Sequence, residues 1–218
     1  INSKNREVFI MTTATKVITF NKLKHPNAVQ TIYVGSTYIY ALQRYNKTDA
    51  ILSRCYQSGE CKDYMYLTNF GHSETLQWFS HKGIGYFWIG TDAKKSIPSS
   101  STYWATQLAR IVYDPTKTEV NDFNYKDATR LSSVIRANAT GSLKGDITRF
   151  EAALSSSAAT PSKKQELLVL SVNNSSPRLG NYTVYDNEAV NNILDKNEAI
   201  CKKYTSFADV KNAVVASL

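Results

Sequence analysis

The sequence predicts an all-β chain that ends in a minor helical segment. Its strands suit a β-propeller-like arrangement, with a β-sandwich as the alternative. Three observations point there. Runs of apolar, branched and aromatic residues return about every eight to twelve residues through the first part of the chain, the spacing of a sandwich, barrel or propeller. Fourteen tyrosines supply side chains whose rings pack on a pleated surface while their hydroxyls stay wet. The run Tyr38–Leu42 is echoed 48 residues later by Tyr86–Gly90, each following a glycine and leading to a polar loop. Leu167–Ser171 makes a third such run after a longer spacer, and a period of roughly 40–50 residues with several strands per unit is that of propeller blades.

Taken in order, Val8–Met11 and Val17–Phe20 suit short strands, and His25-Pro26-Asn27 marks a turn. Ala28–Val34 alternates as a strand, Gly35-Ser36 turns, and Thr37–Tyr45, Ala50–Tyr56 and Tyr64–Thr68 follow as strands. Ile84–Gly90 is a short apolar run bounded by glycine, which reads as a buried strand. Asp92–Thr102, with Pro98 and four serines, reads as a polar loop, and Tyr103–Tyr113 as the returning strand of a long-looped hairpin. Trp104, Leu108, Ile111 and Val112 also fit a helical stripe, but the aromatic content and the short neighbouring runs favour strand. Residues 115–145 have weak apolar patterning and read as a connection between repeats and a binding-face loop. From Asp186 the pattern becomes helical: Val190, Ile193, Leu194, Ile200, Cys201 and Tyr204 share a stripe, and Asp186 suits an N-cap. Ser206 and Asp209 resemble a capping box before Phe207, Val210, Val214 and Leu218, so residues 187–218 are expected to be a helical segment of a single β-rich domain.

The strings GHSET (71–75), GYFWIGT (85–91) and YWATQLARI (103–111), with VGSTYIYALQ (34–43) before them and TRFEAALS (148–155), LLVLSV (167–172) and NYTVYD (181–186) after, resemble the helveticin J family of large bacteriocins from lactic acid bacteria. The resemblance covers roughly Val34 to Asp186. It departs at Leu76, where the family's string leads to a tryptophan, and at Arg149, where a histidine is common. It implies a propeller-like fold in a longer protein, of which this chain is the front part, and an exported antibacterial role. A chain that stops on the apolar stripe ending at Leu218 fits that expectation, with the continuation of the chain as a possible partner of its own front part.

Composition narrows the classes further. The net charge of +8 favours anionic partners by long-range attraction. The basic residues are spread along the chain with no basic helix, zinc finger or aromatic ribonucleoprotein string, so nucleic acid is not the expected partner. Bacterial cell-wall polymers or surface glycans are. No apolar run has the length of a membrane-spanning helix, and the opening INSKNREVF lacks the apolar centre of a signal peptide, as in a processed chain or one trimmed at its start; secretion is the expectation. Cys55 and Cys61 flank a Gln57–Glu60 turn and could close a disulfide across a hairpin, leaving Cys201 over.

For chemistry, only His25, His72 and His81 are present, without the HxH or HxxxD spacings of a zinc peptidase. No cysteine has the surroundings of an activated nucleophile. The expectation is therefore no catalytic residue, no metal and no cofactor. A cell-wall glycan hydrolase would need two carboxyl groups flanking the bond, for which Glu74 and Glu151 are the candidates because each sits beside a strand start. The expected ligand-binding residues are His72, Glu74, Trp78, Arg149 and Glu151. His72 and Glu74 lie at a loop-to-strand junction where they either meet a ligand or hold the turn. Trp88 and Trp104 are expected in the core and Trp78 at the surface, where a sugar could stack on it. Five Asn-x-Ser/Thr strings, beginning at Asn46, Asn138, Asn173, Asn174 and Asn181, reflect loop composition in a bacterial protein.

Overall fold

Antiparallel hairpins joined end to end dominate the chain. The computed structural model describes residues 15–96, 99–131, 147–156, 164–174, 177–200, 202–203, 205 and 207–217. Among these, thirteen strands form three open sheets. The first is a meander of β1 (Val29–Val34), β2 (Tyr38–Arg44), β3 (Ala50–Tyr56) and β4 (Cys61–Thr68), with the two-residue β8 (Phe123–Asn124) added in parallel to β4. The second runs β5 (Leu76–His81), β6 (Ile84–Lys95), β7 (Tyr103–Ile111) and β9 (Thr129–Leu131). The third runs β10 (Ile147–Leu154), β11 (Glu166–Asn173), β12 (Gly180–Asp186) and β13 (Val214–Ser217). The protein is mostly β. The three runs that echo one another in sequence fall on β2, β6 and β11, the second strand of each sheet.

Local chemistry explains the tight connections. β5 and β6 are joined by Lys82-Gly83 alone, both at positive φ (51° and 80°), the two-residue turn whose twist matches that of paired strands. Between β2 and β3 the Asn46 carboxamide oxygen accepts from the Thr48 and Asp49 amides at 2.8 Å each. Cys55 and Cys61, across the β3–β4 turn, are joined by a disulfide.

The second sheet is covered on both faces, which accounts for the unbroken apolar character of β6. Phe87 and Ile89 point to the first sheet, where they pack with Leu42, Leu52, Met65 and Leu67. Trp88, between them, points the other way and packs with Phe150, Leu167, Val169 and Tyr185 of the third sheet and with Val190 and Leu194 of the helix. β7 alternates in the same manner, with Leu108 on the third-sheet side and Ala109 and Ile111 on the first-sheet side. The helix α1 (Asn187–Ala199) follows β12 directly; the Asp186 carboxylate caps it by accepting from the Ala189 amide at 3.0 Å. The Trp88 indole donates to Asn187 Oδ1 at 2.9 Å, fixing the start of the helix over the second sheet.

Several expectations are corrected. Val17–Phe20 is irregular rather than a strand, and Asn21 makes only an isolated bridge to Glu60. Asp92–Lys95, expected in the polar loop, continues β6, because Asp92 is buried with its carboxylate taken by Gln107 Nε2 (2.8 Å), Thr106 Oγ1 (3.2 Å) and Lys94 Nζ (2.8 Å). The segment 115–145 supplies β8 to the first sheet and β9 to the second; residues 132–146 lie outside the described residues. Helix is found at Asn187–Ala199 and, as the short α2, at Phe207–Val210, but Val214–Ser217 of the expected helical segment form β13 instead. They pair with β12 as the last strand of the third sheet, a partner some 30 residues earlier that a helical stripe does not reveal. Val8–Met11, Cys201, Tyr204, Ser206 and Leu218 lie outside the described residues.

Candidate functional site

The string Gly71-His72-Ser73-Glu74-Thr75 lies flat on the second sheet, and two glycines permit it. Gly71 has φ 72°, and a Cβ there would stand 2.9 Å from Ala93 Cβ and 3.1 Å from the Tyr103 carbonyl. A Cβ on Gly90 of β6 would stand 2.3 Å from Ser73 Oγ. With both hydrogens in place, the His72 amide donates to Tyr103 O (2.8 Å) and its carbonyl accepts from Ala105 N (2.9 Å). That bridge lays the His72 ring parallel to Trp104, with centroids 4.2 Å apart and planes at 11°.

β10 of the third sheet completes the site. Successive residues of one strand face are two apart, so Arg149 and Glu151 project together. Glu151 Oε2 accepts from Thr75 Oγ1 (2.7 Å), the Glu74 amide (3.0 Å) and Ser73 Oγ (3.2 Å). Thr75 Oγ1 in turn accepts from the Ala152 amide at 2.8 Å. The Arg149 guanidinium lies 4.1 Å from the Trp104 ring centre, donates to Glu74 Oε2 at 3.0 Å and reaches Glu151 Oε1 at 3.3 Å. His72, Glu74, Arg149 and Glu151 thus meet around Trp104. Trp78 does not join them: it is 43% exposed and lies against Tyr33 of β1 and Gly85 of β6.

Electrostatics follow from burial and from the guanidinium. Burial pushes the Glu151 carboxyl up, opposed by the Thr75 hydroxyl, the Arg149 charge and the Glu74 amide. Burial also holds His72 below the ordinary histidine value, aided by the positive charges of Arg44 and Arg149 and opposed by Glu74. Among the described residues His72 Nδ1 is buried without a hydrogen-bond partner, which suits a neutral ring stacked on an indole. Every hydrogen bond to Glu151 is donated to it, the pattern of an ionised acceptor. The arrangement holds two sheets together and leaves Glu74, 56% exposed, and Arg149, 33% exposed, as its solvent-facing polar edge.

A second polar junction fastens α1 to the second sheet. Arg110, whose side chain is 1% exposed, reaches Asp195 Oδ1 (2.7 Å), Glu198 Oε2 (2.9 Å) and Asn191 Oδ1 (3.0 Å). His81 Nε2 and Nδ1 lie 2.9 Å from Asp195 and 3.0 Å from Glu188. Burial would raise the Asp195 carboxyl, but Lys82, His81 and Arg110 together hold it well below the usual carboxylate range. The signal for this junction was in the sequence: a lone arginine inside an apolar strand, and Glu188, Asn191, Asp195 and Glu198 spaced on one helical face. Trp104, expected in the core, is only half-buried because it is the plate on which His72 and Arg149 rest; Trp88 is fully buried.

No helix among the described residues is long and apolar enough to cross a membrane. A family model described as bacteriocin helveticin-J matches residues 6–215, beyond both ends of the resemblance read from the strings above. No curated protein matches the chain.

Proposed function

The chain belongs to the helveticin J family of bacteriocins, and from that premise we propose that it is an exported antibacterial protein that binds the surface of competing Gram-positive bacteria without cleaving it. The observation that carries the non-enzymatic part is the occupation of Glu74 and Glu151. One guanidinium, Arg149, reaches both carboxylates, and three donors from residues 73–75 converge on Glu151 Oε2. A general acid must deliver a proton to a leaving group, whereas this carboxylate receives hydrogen bonds from the loop it anchors. The net charge of +8 supports a wall-polymer partner, since Gram-positive walls carry anionic phosphate polymers. We read the three sheets as blades of a propeller that is incomplete in this chain. The support is that each is an antiparallel meander, that the echoed run is the second strand of each, and that the second sheet packs against a neighbour on both faces.

Incubation with labelled Gram-positive cell walls tests this reading. Retention of protein on the walls without release of soluble fragments is the expected result, and retention should weaken as salt rises past about 0.1 M, where screening shortens to about 10 Å. Release of fragments that ceases in Glu151→Gln would establish the alternative, a glycan hydrolase, for which the upward push on Glu151 beside Glu74 is the favouring observation. Retention by walls with no effect on living cells would instead make the chain a carbohydrate-binding lectin.

A further inference from the structure

Trp78 stands apart from the candidate site, and its surroundings have a chemistry of their own. At one end of the core between the first and second sheets, two cross-strand rows face each other. Register places Tyr33, Tyr40, Arg54 and Asp63 side by side across the first sheet. It places Trp78, Phe87 and Ile111 side by side across the second. The rows interlock, with Tyr33 edge-on to Phe87 at 5.5 Å and near-parallel to Trp78 at 6.2 Å and 22°.

One rung further out, the two lips of this seam differ. On the first sheet the register partners are Tyr38 and Tyr56, with rings 5.7 Å apart and Tyr56 41% exposed. On the second sheet they are Ser80 and Gly85, both exposed and small. A Cβ on Gly85 would come within 3.1 Å of the Trp78 indole nitrogen, so the glycine keeps that edge of the ring clear. The seam is therefore low on one side and open onto an aromatic floor.

Its charges are also graded. Arg54 is paired with Asp63 and stacks on Tyr38 and Tyr113, both at 4.9 Å. Lys62 is exposed; its ammonium lies 3.3 Å from the Tyr38 hydroxyl and 5.3 and 5.9 Å from the Tyr38 and Tyr56 ring centres. The rim thus carries two cations to one carboxylate. Exposed Trp and Tyr faces take the apolar C–H face of a sugar ring while their polar edges bond hydroxyls. A cation at the far end selects a negative substituent.

We propose that this rim, from Trp78 and Tyr33 to Tyr56 and Lys62, is a binding site for a pyranose chain bearing anionic groups. A sugar ring stacks on Trp78 beside Gly85, and a negative substituent further along meets Lys62. β1 and β3 are two strand spacings apart, about 10 Å, which accommodates a short oligosaccharide rather than a single ring. The inference rests for its setting on the surface-binding reading and gives that reading a ligand class and a place.

The test is calorimetric titration of the whole chain with two probes of equal length, an oligogalacturonide hexamer and neutral maltohexaose. The hexauronide is expected to bind at least tenfold more tightly. Trp78→Ala and Gly85→Val, the second filling the cleared edge while keeping the indole, should each weaken it at least tenfold. Lys62→Glu should weaken the hexauronide alone. Leu179→Ser, at an exposed position beside β12 of the third sheet, should change nothing. Failure of the parent to bind either probe at millimolar concentration overturns the proposal, as does unchanged affinity in both Trp78→Ala and Gly85→Val with melting temperatures preserved. Equal affinity for the two probes overturns the anionic selectivity. Parallel binding to whole Gram-positive cells separates the two readings. If parent and Trp78→Ala bind cells equally, the rim fails and surface binding stands; if the parent binds the hexauronide but no cells, surface binding fails and the rim stands.

Discussion

Arg110 Nη2 and Asp195 Oδ1 lie 2.7 Å apart, joining the third strand of the second sheet to the helix that follows β12. The arginine is buried and its partners are half open to solvent, since Asp195 and Glu198 are 27% and 37% exposed. Breaking a buried pair costs about 3–5 kcal/mol, and rehydration of the two carboxylates should hold this one near the lower end. Arg110→Ala is therefore expected to lose about 3 kcal/mol in urea unfolding. The exposed Lys82→Ala should lose about 0.5 kcal/mol or less. Equal, small losses in both would remove the junction's structural role.

Gly90 and Ser73 are predicted to be a coupled pair. Gly90→Ala would force a methyl to within 2.5 Å of Ser73 Cβ and 2.7 Å of Ala105 Cβ, an overpacking cost of about 1–3 kcal/mol. Adding Ser73→Gly should recover part of it. A double-mutant cycle that closes additively would show that the loop moves away freely instead.

The His72 environment predicts a pH effect with a definite sign. Burial holds the folded value below the ordinary one, so the unfolded chain takes up this proton first. The stability tied to neutral His72 is present in full above about pH 6.5 and is lost as pH falls through the lowered folded value. Glu151 acts oppositely, because burial raises its folded value and acidification there favours the fold. The comparison is therefore between the parent and His72→Phe. Between pH 7.5 and 5 the parent should lose more stability than the variant, and parallel slopes would refute the assignment.

Cys55 and Cys61 close a loop with a sequence separation of 6. Constraining so short a loop in the unfolded chain contributes about 2 kcal/mol. Thiol titration of the denatured, unreduced protein should find Cys201 alone, and reduction should lower stability by about that amount. Three reactive thiols without reductant would contradict it.

What the sequence determined by itself is the local grammar. Period-two alternation marked β1 and β2, short apolar and aromatic runs marked β3 and β4, glycine and proline marked the turns, and the change to a 3.6-residue stripe after Asp186 marked α1, because these features depend on neighbours within a few residues. Family strings supplied kinship, which the match over residues 6–215 extends to nearly the whole chain. Of the site, His72 and Glu74 were singled out by the glycine and the loop-to-strand junction before them, Glu151 by its place beside a strand start, and Arg149 by its departure from a family string. Only the tertiary structure decided that His72 and Arg149 rest on one indole and that Arg149 links Glu74 to Glu151, because these contacts exist only once β10 lies against the loop before β5. It also decided that Trp104 is a half-open plate rather than core, that Asp92 is buried, and that Val214–Ser217 adds a strand to the third sheet instead of extending a helix. Each of those outcomes depends on partners distant in sequence: Arg149 on the indole, Thr106 and Gln107 on the carboxylate, and β12 on β13.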